Sequence, residues 1–508
     1  MGQRSIRGAE IVLLFYGPYQ QNKYIVAASS YETLVQHRIA HEKLATRFIK
    51  ANNDLWYDKG IEMVLFRNQL IDKRASEILS LHNYARKIVG KPIEIEATTA
   101  LLESMLKLDL CPARIDIGRL ASEWLENNNQ PGSEKSFLED KLAEFIGPEN
   151  YLQIHPKDVV LYGFGRIGRL LARELIAQEG RGEQLRLRAI VTRDKGTGMT
   201  EKRASLLRVD SVHGAFPGIV EADEANSALI IDGHIVHLIT AQQPEDIDYT
   251  QYGINNALVI DNTGAFRDKD ALGRHMKSKG VSKVLVTAPG KGVPNIVHGV
   301  NQTMHNPKEV DIFSAASCTT NAIVPVLKVV NDALGIEKGH IETVHAYTND
   351  QNLVDNMHSK YRRGRGAATN MVITETGAGS AIEKAIPGLG PKFTSNAIRV
   401  PVPNGSLAIL NLQVSKATTL DEINEIMRKA ALEGDLVEQI NYSMSNELVS
   451  TDIIGNSCPS IYDSKAAQVH PDGMSVILYV WYDNEYGYTR QVMRLSKYIA
   501  QVQRKRYY

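Results

Sequence analysis

The sequence predicts an α/β protein in successive parts: a mainly helical region over residues 1–150, a parallel sheet with helices on both faces over 156–317, a mixed α+β region over 318–483, and a closing helix over 484–508. Three observations carry this. Before residue 150, apolar residues recur at helical spacing. From Lys157 onward, short Val/Ile-rich runs alternate with longer segments. A glycine-rich turn sits where the first of those runs gives way to a helical pattern.

In the first part, Ile71, Ala75, Ile78, Leu81, Ala85, Ile88 and Val89 form one helical stripe, stopped by Gly90 and Pro92 in the order expected of a helix C-terminus. Leu101, Leu102, Met105 and Leu106 mark a second helix, and the stretch near Leu120 and Trp124 a third. The segment from Asn127 to Gly132 reads as a turn or linker. A last amphipathic stretch with Phe137, Leu138, Leu142, Phe145 and Ile146 ends at Gly147-Pro148. Nothing in this region has the spacing of a catalytic site, and its first 30 residues are expected to be poorly ordered.

Length and composition bound the function. At 508 residues the chain is long enough for about three domains of roughly 100–200 residues each. Its 58 basic and 58 acidic residues balance, which argues against nucleic acid or a membrane surface as a partner selected by bulk charge. The apolar run Ile11–Tyr16 is too short to span a bilayer or to form a signal-peptide core. The three cysteines, Cys111, Cys318 and Cys458, are too scattered for a disulfide framework or a metal cluster, which points to a reducing, cytoplasmic setting.

Past Lys157, the run Val159–Tyr162 is followed by Gly163-Phe164-Gly165-Arg166-Ile167-Gly168 and a helical pattern. This is the Rossmann dinucleotide turn. The first glycine makes the bend, the second admits a pyrophosphate, and the third lets helix pack on strand. The anion would rest on free N–H groups at the helix N-terminus. The next strand ends Ala189-Ile190-Val191-Thr192-Arg193-Asp194. In this register Thr192 holds the position where an acidic residue usually binds the adenosine ribose, with Arg193 beside it. Asp194 supplies a carboxylate if the turn is longer, so NAD and NADP both stay open.

Ser314-Ala315-Ala316-Ser317-Cys318-Thr319-Thr320-Asn321 precedes an apolar helical stretch, which places Cys318 at a helix N-terminus where thiolate is favoured. His345, in Thr343-Val344-His345-Ala346, follows a strand-like run and is a candidate base for that thiol.

With these motifs in hand, residues 156–503 resemble the glyceraldehyde-3-phosphate dehydrogenase family. Further matching segments are Asp210–Gly214, Asn262-Thr263-Gly264-Ala265-Phe266, Arg363–Ala367, Thr376-Gly377-Ala378, Arg399-Val400-Pro401 and Trp481–Tyr488. The resemblance implies a phosphorylating aldehyde dehydrogenase. Cys318 attacks glyceraldehyde 3-phosphate, His345 is the base, and hydride passes to NAD or NADP. Inorganic phosphate then releases 1,3-bisphosphoglycerate from a thioester. The resemblance assigns the cofactor to the 163–168 turn, Thr192, Arg193, Thr263, Gly264, Thr287 and Asn484. It assigns the two phosphate groups to Ser317, Thr319, Thr348, Asp350, Arg363, Thr376, Gly377 and Arg399. Asp350 is odd in an anion pocket on charge alone; it would orient an arginine or accept a substrate hydroxyl. The family's assembly implies a homotetramer.

Departures from the family pattern include Tyr162 and Ala315 where Asn is usual, and Asn356-Met357-His358 in place of a proline after Asp355. The last, with Thr192, resembles members that tolerate NADP. Thr348-Asn349-Asp350-Gln351 also resembles erythrose-4-phosphate dehydrogenase, the alternative activity, but Thr376-Gly377 favours phosphorolysis. A third reading is a regulator or scaffold that uses residues 1–150. The direction of flux, glycolytic or gluconeogenic, is not encoded in these motifs.

Overall fold

The computed structural model describes residues 31–127, 132–193, 196 and 198–508. The Ile11–Tyr16 run, most of the Asn127–Gly132 linker and Asp194 fall outside them.

The chain first builds a small unit with its own core, in which Phe48, Leu55, Met63, Leu101, Ile115, Leu120 and Leu138 are among the buried residues. The expected helices appear as Ala75–Tyr84 (continued by a π-turn, Ala85–Val89), Ile95–Met105, Ile117–Glu126 and Glu134–Lys141. Gly90 ends the first of them at φ +74°, the left-handed cap its position predicts. Asp116 caps Ile117–Glu126 through the N–H groups of Gly118 and Arg119.

Two features of this unit go beyond the sequence reading. A long helix, Tyr31–Lys59, precedes the others and buries Ala45, Phe48, Ala51, Asn52, Leu55 and Trp56. A four-stranded sheet, in the order Asn68–Gln69, Glu62–Leu65, Ala113–Asp116, Lys505–Tyr507, runs through the unit. Its edge strand is the C-terminus of the chain, paired in parallel with Ala113–Asp116.

The second sheet has eight strands, in the order Ile312–Ser314, Val281–Val286, Ala257–Asp261, Lys157–Tyr162, Leu185–Thr192, His234–Thr240, Ala228–Ile231, Val220–Asp223. The first six are parallel and the last two are added antiparallel. Strand order reverses between Lys157–Tyr162 and Ala257–Asp261, which opens a crevice at their carboxyl ends where ligands bind in such sheets. The glycine turn and Asn262–Gly264 both leave the sheet there. The helix Tyr486–Ile499 returns to this core, burying Tyr488, Val492, Met493 and Leu495.

The third sheet runs Val372–Thr374, Phe393–Val400, Ile336–Ala346, Ser406–Val414, Ser475–Tyr482, Ser460–Asp463, Ile440–Ser443. Helices Cys318–Leu334 and Leu420–Leu432 bury their apolar faces in its core. The carboxyl end of Ile336–Ala346 carries His345, and the amino end of Cys318–Leu334 carries the cysteine. No helix among the described residues is long and apolar enough to cross a membrane.

Candidate active site

Local chemistry fixes the cysteine. Ser317 caps the helix Cys318–Leu334 by accepting the Thr320 N–H at 3.0 Å, which makes Cys318 the first helical residue. Ala316 turns the chain into it at φ +55°, a left-handed conformation that costs an alanine about 1–2 kcal/mol. The surroundings hold it there. The Ala316 N–H donates to Ser314 Oγ at 3.0 Å, and its carbonyl accepts from the Tyr488 hydroxyl at 2.9 Å. Asn321 donates to the carbonyls of Ala315 and Ser317, at 2.8 and 2.9 Å.

His345 reaches the thiol from the neighbouring sheet. Its Nδ1–H donates to the Ala346 carbonyl at 2.7 Å, and its Nε2 lies 3.5 Å from Cys318 Sγ. Because a carbonyl only accepts, the Nδ1 bond fixes the tautomer and leaves the Nε2 lone pair toward sulfur. Arg399 is in register with His345 on the adjacent parallel strand. Its guanidinium donates to the Ala346 carbonyl at 3.0 Å and to Thr348 Oγ1 at 2.8 Å. The Tyr482 ring meets His345 edge-on at 5.9 Å, and its hydroxyl bonds Thr319 Oγ1 at 3.1 Å.

Burial, aided by the Arg399 charge, holds the His345 imidazole down to about 3, so it is neutral and able to accept a proton. Burial pushes the Cys318 thiol up, against the pull of Arg399 and the Thr319 N–H. This corrects the expectation that a helix N-terminus alone yields thiolate: desolvation outweighs it.

The candidate anion residues divide into two groups. Thr348, Asp350, Arg363 and Arg399 form a connected set. Thr348 donates to Asp350, Arg363 pairs with Asp350, and Arg363 Nε donates to Thr374 Oγ1 at 3.0 Å. Asp350 therefore orients an arginine, the first of the two roles its charge allows. Thr376 lines a cavity of about 770 Å³ with Arg363 and Thr374, and Gly377 begins the helix Ala378–Ala385. Ser317 and Thr319 flank the cysteine, but their hydroxyls are already engaged, in the helix cap and with Tyr482.

At the other end, Gly163 bends the chain at φ +95°, and a Cβ there would lie 2.9 Å from the Thr263 methyl. A Cβ on Gly168 would meet the Gly163 carbonyl at 2.5 Å, which is why helix and strand need a glycine at that crossing. A Cβ on Gly165 would meet nothing within 4 Å, so the turn opens onto free space that fits a dinucleotide's pyrophosphate. Gly163, Phe164, Gly165, Thr192, Arg193 and Thr263 converge on one cavity of about 340 Å³. Ile167 packs into the core instead. The Arg166 guanidinium is committed to Glu485 and Asp210, leaving its backbone to the turn. Gly264, at φ +67°, and Thr287, whose hydroxyl donates to the Asp261 carbonyl at 3.1 Å, sit at the ends of the neighbouring strands. Ser406 donates to Asn484 Oδ1 at 2.8 Å, which fixes the orientation of that carboxamide.

The sequence reading assigned no role to Tyr482, Tyr488 or Ser406, although the first two lie inside a quoted motif. It also gave no role to Arg169 or Arg203, which line the cavity at the glycine turn. A helix pattern after the dinucleotide strand with a basic residue at Arg203 is the only sequence signal for the latter.

A two-faced parallel sheet with a dinucleotide turn, joined to a sheet that brings histidine to a helix-capping cysteine, defines a nicotinamide-dependent oxidoreductase. Residues 157–269 match the family described as "Glyceraldehyde 3-phosphate dehydrogenase, NAD binding domain", and residues 317–484 match its "C-terminal domain". A "Glyceraldehyde-3-phosphate dehydrogenase-like protein" of Pseudomonas aeruginosa (strain UCBPP-PA14) is 50% identical over 451 residues, 88% of this chain and 97% of that protein. That span takes in much of the N-terminal region. "Glyceraldehyde-3-phosphate dehydrogenase A, chloroplastic" of Zea mays is 39% identical over 343 residues, 67% of this chain and 82% of its own. "Glyceraldehyde-3-phosphate dehydrogenase 1" of Schizosaccharomyces pombe is 37% identical over 344 residues, 67% of this chain and 97% of its own. The chain belongs to the glyceraldehyde-3-phosphate dehydrogenase family.

Proposed function

We propose that the protein is a phosphorylating glyceraldehyde-3-phosphate dehydrogenase, with Cys318 as nucleophile and His345 as base. One observation carries this reading: the Ala346 carbonyl holds the His345 tautomer so that Nε2 addresses Cys318 Sγ at 3.5 Å, beside the linked cations Arg399 and Arg363.

Each step then falls to a residue. Cys318 sulfur bonds to the aldehyde carbon as its proton passes through His345 Nε2 to the carbonyl oxygen, which gives a hemithioacetal hydroxyl and leaves Nε2 free to accept again. The Cys318 N–H and His345 stabilise the oxyanion. His345 Nε2 takes the hemithioacetal hydroxyl proton as the carbonyl re-forms as a thioester on Cys318. A bound nicotinamide ring supplies the acceptor for the hydride that leaves in the same step. Gly163–Gly168, Thr192, Arg193, Thr263, Gly264 and Thr287 hold the dinucleotide, and Asn484, fixed by Ser406, holds its carboxamide. Phosphate oxygen then attacks the thioester carbon, breaks the C–S bond and regenerates the Cys318 sulfur. Arg399 with Thr348, and Arg363 with Thr376 and Gly377, bind the substrate phosphate and the attacking phosphate by charge-assisted bonds.

A homotetramer and a cytoplasmic setting belong to the same proposal. The loop that carries Arg363 exposes Leu353, Val354, Met357 and Tyr361 at 71–92%, apolar surface that supports covering by another subunit. The test is initial rates with glyceraldehyde 3-phosphate or erythrose 4-phosphate, with and without phosphate, run with NAD and NADP in parallel. Phosphate-dependent oxidation of glyceraldehyde 3-phosphate is expected. Phosphate-independent turnover of erythrose 4-phosphate in its place would overturn the assignment.

A further inference from the structure

An arginine can only donate hydrogen bonds, and a backbone carbonyl can only accept them. Between two such fixed ends, a run of buried side chains crosses the molecule from the N-terminal unit to the nucleophile turn. At one end, Arg114 pairs with Glu438, and Glu438 Oε1 lies 3.7 Å from Arg494 Nε on the closing helix. Arg494 Nη1 donates to Gln491 Oε1 at 3.0 Å, and Gln491 Nε2 donates to Asn321 Oδ1 and to the His298 carbonyl, each at 3.1 Å. At the other end, Asn321 Nδ2 donates to the Ala315 and Ser317 carbonyls, at 2.8 and 2.9 Å. Glu438, Arg494, Gln491 and Asn321 are all buried.

The order of donors leaves neither amide free to flip. Arg494 forces the Gln491 oxygen to face it, and the two carbonyls force the Asn321 nitrogen to face them. Nitrogen therefore meets oxygen between the two side chains. Gln439, next to Glu438, adds a second donor to Gln491 Oε1 at 3.3 Å. The run ends on the strained element of the site: Ala315 and Ser317 bracket Ala316 at φ +55°, and Cys318 follows directly. Without the Gln491 donor, Asn321 Oδ1 is a buried acceptor with no partner, a costly state that favours movement of Asn321 and slackening of the turn. The 3.5 Å approach of Cys318 Sγ to His345 Nε2 depends on that turn.

We propose that Gln491 is a positioning residue for Cys318, and that the N-terminal unit holds the thiol in its reactive geometry through Arg114, Glu438 and Arg494. This gives the N-terminal unit a part in setting the active site without a contact to substrate. The proposal rests on the reading of Cys318 as the nucleophile. With Arg114 gone, the Glu438 carboxylate would shift toward its other cations, Arg494 and Arg506, the latter 3.5 Å away. That shift draws the Arg494 guanidinium off Gln491 and loosens the run at its far end.

The test uses the full-length protein, with kcat, cofactor KM and the rate of Cys318 alkylation by iodoacetamide all measured per folded site. Gln491→Met, unbranched and of similar length but without the amide, is expected to lower kcat and slow alkylation about tenfold or more, with cofactor KM within about threefold of wild type. Gln491→Glu keeps an oxygen for Arg494 and loses the donor to Asn321, so it should be as impaired. A residue that merely anchored the closing helix would instead be rescued by that change. Arg114→Met should lower both rates by about threefold or more, and Arg114→Lys, which keeps a cation on Glu438, should restore most of the loss. Because Arg114 and Gln491 act along one run, the double variant should be no slower than Gln491→Met alone. Wild-type rates in either Met variant, or losses that multiply in the double variant, would overturn the proposal. Turnover that survived alkylation of wild-type Cys318 would overturn the nucleophile reading instead, and leave the comparison of alkylation rates standing.

Discussion

Replacing Glu438 by glutamine tests what joins the N-terminal unit to the dehydrogenase body. Glu438 has a 3% exposed side chain among three guanidiniums from three parts of the chain. Arg114, from the N-terminal sheet, pairs with it directly. Arg494, from the closing helix, lies 3.7 Å away, and Arg506, from the C-terminal strand, 3.5 Å away. Arg114 also lies 3.5 Å from Glu62, so one anion would remain to it after the change. Burial pushes the Glu438 carboxyl up, but Arg114, Arg494 and Arg506 outweigh it and hold it well below the carboxylate range.

Removing one partner of a buried ion pair costs about 3–5 kcal/mol, because the charges left behind are desolvated and unpaired. An unfolding entropy of about 2.1 cal/mol/K per residue amounts, over 508 residues, to about 1.1 kcal/mol/K. Glu438→Gln should therefore lower Tm by about 3–5 °C in scanning calorimetry at neutral pH. The sign with pH follows from a depressed folded-state carboxyl. The stabilisation is fully present above the unfolded value near 4.5 and is lost as pH falls through the folded value, so wild type and variant should converge in acid. The control is the exposed pair Arg38–Glu42, with side chains 63% and 50% exposed. Breaking that pair should cost about 0.5 kcal/mol or less. A shift for Glu438→Gln no larger than that of the control would refute the reasoning.

Three further outcomes are expected. His345, held near 3 when folded and about 6.5 when unfolded, binds fewer protons in the folded state, so it destabilises progressively as pH falls below 6.5. Replacing it by Asn should spare about 2 kcal/mol of the stability otherwise lost between pH 7 and pH 5, a difference that denaturant titrations at the two pH values will detect; parallel curves would count against the depressed imidazole. Cys318→Ser should abolish acyl-enzyme formation, read by mass spectrometry after aldehyde and cofactor, while cofactor titration stays within about threefold of wild type; an acylated variant would sink the nucleophile assignment. Deleting residues 1–150 should destabilise the remainder, because it strips the partner strand from Lys505–Tyr507 and the Trp56 ring from Arg504, 4.8 Å away. A truncated protein that melts at the wild-type temperature would contradict this.

Legibility in the sequence followed the range of the interaction. The glycine turn, the Gly90 cap and the Ser317-Cys318 helix start are set by bonds within a few residues, and each was readable from residue type and spacing. The helix Tyr31–Lys59 was missed in the sequence: its buried positions Ala45, Phe48, Asn52 and Leu55 lie in its second half, and its polar first half hides that stripe. The motifs nominated Cys318 and His345, but only the folded chain sets their geometry. The Nε2 direction depends on a carbonyl one residue away, yet the thiol it addresses comes from a separate helix.

The sequence by itself determined the α/β class, the family and the chemical groups at the site, because those are written in local periodicity and in short motifs. Only the tertiary structure decided that burial opposes the thiolate, that Asp350 orients Arg363, and that Arg203 lines the cavity at the glycine turn. It alone made the last three strand residues, Lys505–Tyr507, complete a sheet begun at Glu62. The physical reason is common to all four. Desolvation, charge pairing and strand register depend on which distant segments pack together, and a short polar strand such as Lys505–Tyr507 carries no pattern that names its partner.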